Sequence, residues 1–119
     1  MPLVLLRYRP EQLTDANADQ LAKELTRIVA NALSIPSDPL TKVGPEDIEV
    51  SPIRLGERDL NAKDLEIIIF AHSYHSRLTV IDEINLEIAH SVRQFLPSCN
   101  PNVRGFVWTH LNQSGLARI

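Results

Sequence analysis

Apolar positions recur along this chain with two periods, and the switches between them mark its elements. Leu3 to Tyr8 is a short apolar run that leaves through Arg7 and Arg9 and stops at Pro10, which predicts a strand. From Thr14 or Asp15 to Leu33 the step changes to three and four. Leu21, Leu25, Ile28, Ala32 and Leu33 share one stripe, with Ala18, Ala22 and Val29 beside it, as in an amphipathic helix. Asp15 and Asp19 complement the helix dipole, and Pro36 and Pro39 forbid continuation. Residues 34–46 form a Pro/Ser/Asp/Gly connection. Ile48, Val50 and Ile53 then predict a strand over Asp47–Leu55, with Pro52 marking an edge strand or a bulge. Gly56–Lys63 is a charged turn.

Leu65–Ala71 is apolar at nearly every position, so both faces of this strand need cover. Ile81, Ile84, Ile88, Val92 and Phe95 predict a second helix over Thr79–Leu96, opened by a Thr79/Asp82 capping box and ended by Pro97. A last strand is expected over Val103–Leu111, followed by a short tail, 113–119. The order is strand–helix–strand twice over, in two halves that begin about sixty residues apart. The fold class that follows is α+β: two consecutive βαβ units in one domain, 1–119, forming one four-stranded mixed sheet with both helices on one face. The other sheet face would expose Phe70, Trp108 or Val107, and part of Ile67–Ile69. An apolar patch of that size predicts a homo-oligomer.

Charge and composition narrow the functional classes. The 119 residues are 44% hydrophobic with a net charge of −3, which gives no basic footprint for nucleic acid or anionic membrane. No apolar run approaches the roughly 20 residues of a membrane span, and Leu3–Leu6 lacks the flanks of a signal peptide. Cys99 is the sole cysteine, in a Pro-Ser-Cys-Asn-Pro loop, which fits a reducing, cytoplasmic setting without a disulfide. His72 and His75 would point to opposite faces of an extended segment, and His90 and His110 are isolated, so no metal site is expected.

The start of the chain carries the chemistry. Met1 before the small Pro2 predicts removal of the methionine, leaving Pro2 as a secondary amine held by the strand behind it. Met1-Pro2 leading into a strand, two βαβ units, a length near 120, the run Ile67–Ser73 entering the second helix and the final strand Gly105–Thr109 together resemble the tautomerase superfamily. That group includes 4-oxalocrotonate tautomerase, 5-carboxymethyl-2-hydroxymuconate isomerase and macrophage migration inhibitory factor. The resemblance covers nearly the whole chain in layout, and Pro2 is its one motif residue. It implies a homotrimer whose sheets form an inner barrel, with sites at subunit boundaries around each proline. It also implies cofactor-independent isomerisation of a small 2-oxo or enol carboxylic acid.

Pro2 is then the expected general base, since an amine among apolar side chains is held neutral. A cation must hold the substrate carboxylate. The family's arginine position in the strand after the first helix holds Glu49 here, and its lysine position near the end of that helix holds Ser34 or Ile35. The remaining cations are Arg7, Arg9, Lys42, Arg54, Arg77 and Arg104, of which Arg54 and Arg77 are favoured. Strand alternation puts Pro2, Val4, Leu6 and Tyr8 on one face and Arg7 and Arg9 on the other. His72 and Tyr74, where a strand meets the second helix, are candidates to line the pocket or to close the strand end. Phe106 and Trp108 fall near pocket positions of the family, but oligomer-interface core is the role favoured for them. Two competing readings stand beside this one. The first is a non-catalytic module of the same fold that binds a ligand or a protein. The second is a ferredoxin-like dimer with no site around Pro2.

Overall fold

A computed structural model of the chain describes residues 2–113 and 119; Met1 and the interior of the expected 113–119 tail lie outside the described residues. Strand β1 is Leu3–Tyr8. Thr14 then ends the extended chain, and its hydroxyl accepts the Asn17 N–H at 3.1 Å, capping helix α1, Asp15–Leu33. At the other end of α1 the Ser34 hydroxyl donates to the Ala30 carbonyl at 2.8 Å. The connection that follows is built from two single 3₁₀ turns, Pro39–Thr41 and Pro45–Asp47. The second turn explains why strand β2, Glu49–Arg54, starts two residues later than its apolar pattern suggests. There the Asp47 carboxylate turns back to accept the Gly44 N–H at 2.8 Å.

Strand β3, Leu65–His72, leads into a single helical turn, α2, His75–Leu78, and then helix α3, Ile81–Phe95; strand β4 is Gly105–Asn112. The second helical segment is thus broken at Thr79–Val80, and the Thr79/Asp82 capping box does not form. The Thr79 hydroxyl instead donates to the Ser76 carbonyl at 3.1 Å, closing the preceding turn, and Val80 caps α3 without a side-chain bond. Local closure of α2 uses the hydroxyl that the cap would need.

The sheet order is β2-β1-β3-β4, with β1 parallel to β2, antiparallel to β3, and β3 parallel to β4. Pro52 lies on the edge strand β2 and pairs in unbroken register with Leu6, so no bulge is needed. Val4, Leu6 and Tyr8 of β1 and Ile67 and Ile69 of β3 join Leu21, Leu25 and Ile28 of α1 and Ile84, Ile88 and Val92 of α3 in one core. Both long helices therefore cover the same sheet face. No helix among the described residues is long and apolar enough to cross a membrane.

The opposite face carries the alternate positions: Leu3, Leu5 and Arg7, then Glu66, Ile68 and Phe70, then Phe106, Trp108 and His110. Trp108 is 55% exposed there, and Val107 turns to the helices. His110 stacks on Phe70 with ring centroids 5.1 Å apart and tilts against Trp108 at 4.3 Å. Glu66 interrupts the apolar run of β3 on this face. It is buried because Arg7, opposite it in the ladder, pairs with it and the Lys63 N–H donates to it at 3.2 Å.

Candidate active site

Pro2 is buried at the start of β1, on the helix-covered side. Its carbonyl accepts the Glu49 N–H at 3.1 Å, so the residue is held by the β1–β2 ladder. Continuing the register sets Pro2 between Ile48 and Ala71, both buried. An amine at this position lies among apolar groups, where the charged form is disfavoured. The same end of the sheet gathers the C-terminal end of α1, the 34–48 connection and the exit of β3.

Arg77 ties these three segments together. It is 2% exposed. Its Nε donates to the Leu33 carbonyl at 3.0 Å, and its two terminal nitrogens donate to the carbonyls of His72 at 3.0 Å and Thr41 at 2.9 Å. Burial pushes the guanidinium pKa down, while Tyr74, whose ring lies 5.0 Å from it, and Asp38 oppose the shift. Asp38 also accepts the Ser76 hydroxyl at 2.6 Å, a second link between the connection and α2. Arg77 is thus a brace behind the strand end, with its guanidinium spread over backbone carbonyls. Nothing local marks this role in the sequence, because the three carbonyls come from positions 33, 41 and 72.

The other expected site residues are distributed as follows. His72 and Tyr74 stand at the Pro2 end of the sheet and meet edge to face at 4.7 Å. Arg54 pairs with Tyr8 in the ladder, at the far end of β1, about 20 Å along the strand from Pro2. It is exposed, with its Nε 3.7 Å from Asp15. Phe106 and Trp108 lie on the open face of β4, across from Glu66 and Ile68. Arg7 is engaged with Glu66, and Arg9 donates to the carbonyls of Gly56 and Asp59, which fastens the 56–63 loop. Lys42 is exposed in the connection beside Thr41, at the Pro2 end, with no ion pair among the described residues. One chain therefore brings Pro2, Lys42, His72, Tyr74 and Arg77 to the same end and leaves Arg54, Phe106 and Trp108 elsewhere. Among the described residues no group of three or more His, Cys, Asp or Glu could hold a metal ion.

Neither a protein-family model nor a curated protein sequence matches the chain. Solved structures do match in shape. A fused 4-OT protein, Q0, solved as a symmetric trimer, superposes with a TM-score of 0.61 at 12% identity, over 97% of this chain and 91% of that one. A macrophage migration inhibitory factor-like protein from Entamoeba histolytica gives 0.56 at 11% identity, over 95% and 88%. N1, a member of the cis-3-chloroacrylic acid dehalogenase family, gives 0.55 at 15% identity, over 94% and 74%. With its β2-β1-β3-β4 mixed sheet, helices on one face and Pro2 at the head of the first strand, the chain has the fold of the tautomerase superfamily.

Proposed function

We propose that this protein is a cofactor-independent tautomerase or isomerase of a small 2-oxo or enol acid, with Pro2 as general base once Met1 is removed. The observation that carries this is the setting of Pro2: buried, fixed through its own carbonyl to Glu49, and flanked by Ile48 and Ala71. A terminal amine has a reference pKa of about 7.7, and a secondary amine is more basic; apolar surroundings disfavour its ammonium form, which brings the neutral base within reach near pH 7. The amine takes the enol hydroxyl proton, the electron pair closes the carbonyl, and the former enol carbon accepts the proton back from the ammonium. Atoms and charge balance with no second reagent. Activity accordingly falls on the acid side, where the amine is protonated.

The substrate carboxylate needs a cation. Among the described residues of one chain Lys42 is the exposed cation at the Pro2 end, while Arg77 acts by holding His72 and Tyr74 in place. Arg54, Phe106 and Trp108 enter the site in this reading only from a neighbouring copy. That requires the open sheet faces of several copies, three by analogy with the 4-OT trimer, to meet. Its partners are then a small carboxylate and further copies of itself. A non-catalytic binding role is the second reading, favoured by the one observation that Arg77 is spent on backbone carbonyls.

Turnover of an enol acid such as phenylenolpyruvate, measured on protein whose intact mass shows Met1 absent, tests the proposal. Pro2→Ala is expected to lower kcat by about 10²–10⁴-fold with the fold unchanged, the usual range for a lost general base. Full activity in Pro2→Ala, or in protein that retains Met1, removes the proline amine from the mechanism. Inactivity of methionine-free protein towards a panel of 2-oxo and enol acids leaves the binding role.

A further inference from the structure

A groove of about 270 Å³ opens on the helix side of the sheet at the end away from Pro2, between α3 and the start of β4. Its floor is Leu65, Ile67, Val92, Leu96 and Val107. The first four are at most 7% exposed and packed into the core, so the floor exists before any ligand arrives. Gly105 lines one wall. A Cβ there would stand 1.7 Å from the Leu65 carbonyl oxygen, so the absence of a side chain keeps β4 flush against β3 at this point. Two arginines complete the lining, Arg93 from the last turn of α3 and Arg104 just before β4, and both residues are exposed. Neither has an acidic side chain at ion-pair distance among the described residues. Asp64, the carboxylate bonded to this segment, takes the Arg104 backbone N–H at 3.1 Å.

An apolar floor beneath two unpaired arginines, in a chain of net charge −3, selects a ligand with an apolar body and one anionic head. We propose that this groove binds an aliphatic monocarboxylate of medium chain length, its carboxylate between Arg93 and Arg104 and its tail along Leu65, Ile67, Val92, Leu96 and Val107. The volume sets the chain length. At about 270 Å³ it lies just below the roughly 300–1,000 Å³ of drug-sized ligand sites, so a small ligand with a tail of about eight to ten carbons is what it accommodates. The site is separate from Pro2 and does not depend on the reaction proposed there.

Octanoate is the probe, titrated into the full chain while amide shifts are followed by NMR. Saturable shifts at Val92, Leu96 and Val107 are expected. Arg93→Ala with Arg104→Ala should weaken binding at least about tenfold, and octanol should bind more weakly than octanoate by a similar factor. Ala89→Phe, which fills the groove from α3, should abolish binding while leaving Tm within a few degrees. Three results overturn the proposal: no saturation by about 10 mM, equal affinity in the arginine variants, or shifts confined to the Pro2 end. If a second copy of the chain occupies the groove instead, octanoate does not saturate it, which also counts against the proposal.

Discussion

Tyr8 shows how much one side chain's setting decides its chemistry. It is 5% exposed, and its hydroxyl donates to Asp15 at 2.7 Å. Burial first, then the bond to Asp15 and its charge, push its pKa up to about 12 from an ordinary 10. The neutral phenol is the form the fold favours. Its contribution to stability is fully present below pH 10 and is lost as pH rises from about 10 through about 12. In a Tyr74→Phe background, ultraviolet titration of tyrosinate should find Tyr8 ionising late, and Asp15→Asn should bring it earlier. An unshifted midpoint in Asp15→Asn would remove Asp15 as a cause. Residue-scale features of this kind were only partly legible in the sequence. Alternation correctly separated Val4, Leu6 and Tyr8 from Arg7. The burial of Arg77 and Glu66 was not legible, because each depends on partners far along the chain: the Leu33 and Thr41 carbonyls for Arg77, Arg7 for Glu66.

Among the elements, the long helices and β3 could be read directly, since their apolar periods are sustained. What was misread sits where two local bonding options compete. Thr79 can cap α3 or close α2, and it closes α2. Asp47 can extend β2 or turn back to the Gly44 N–H, and it turns back. The β3–β4 ladder depends on one glycine. At Gly105 an added methyl meets the Leu65 carbonyl itself, part of the backbone, so relief requires moving the strand. Gly105→Ala should cost about 1–3 kcal/mol, the range for overpacking, measured as a lower urea midpoint with an unchanged slope. Stability equal to the parent chain would mean that the β4 entry shifts freely.

Among the described residues the dominant feature is the asymmetry of the sheet: one face lies under two helices, and the other carries Leu3, Leu5, Ile68, Phe70 and Trp108 with no helix over it. A surface of this composition is covered by self-association in the reading proposed above. Trp108→Glu places a charge at the most exposed aromatic of that face. It should convert the assembly to single chains in light scattering, with far-ultraviolet circular dichroism unchanged, a loss of about 2 kcal/mol or more per interface. If the wild-type chain is itself a monomer in solution, the face serves something else and the sites must be complete within one copy.

The Arg77 brace also bears on the order in which the molecule assembles. Two of its three acceptors, Leu33 at the end of α1 and Thr41 in the connection, lie in the first half of the chain, so those two bonds cannot form until both halves have docked. These two bonds are expected to form after the folding barrier, with little weight in the transition state. Arg77→Met should therefore lower stability by about 3 kcal/mol or more by stranding the carbonyls of Leu33, Thr41 and His72. In stopped-flow kinetics nearly all of that loss should appear as faster unfolding, with the refolding rate close to that of the parent. A matching slowdown in refolding would place the two halves together before the barrier. If the loss appears as faster unfolding, the guanidinium is a latch that sets how long the native state persists.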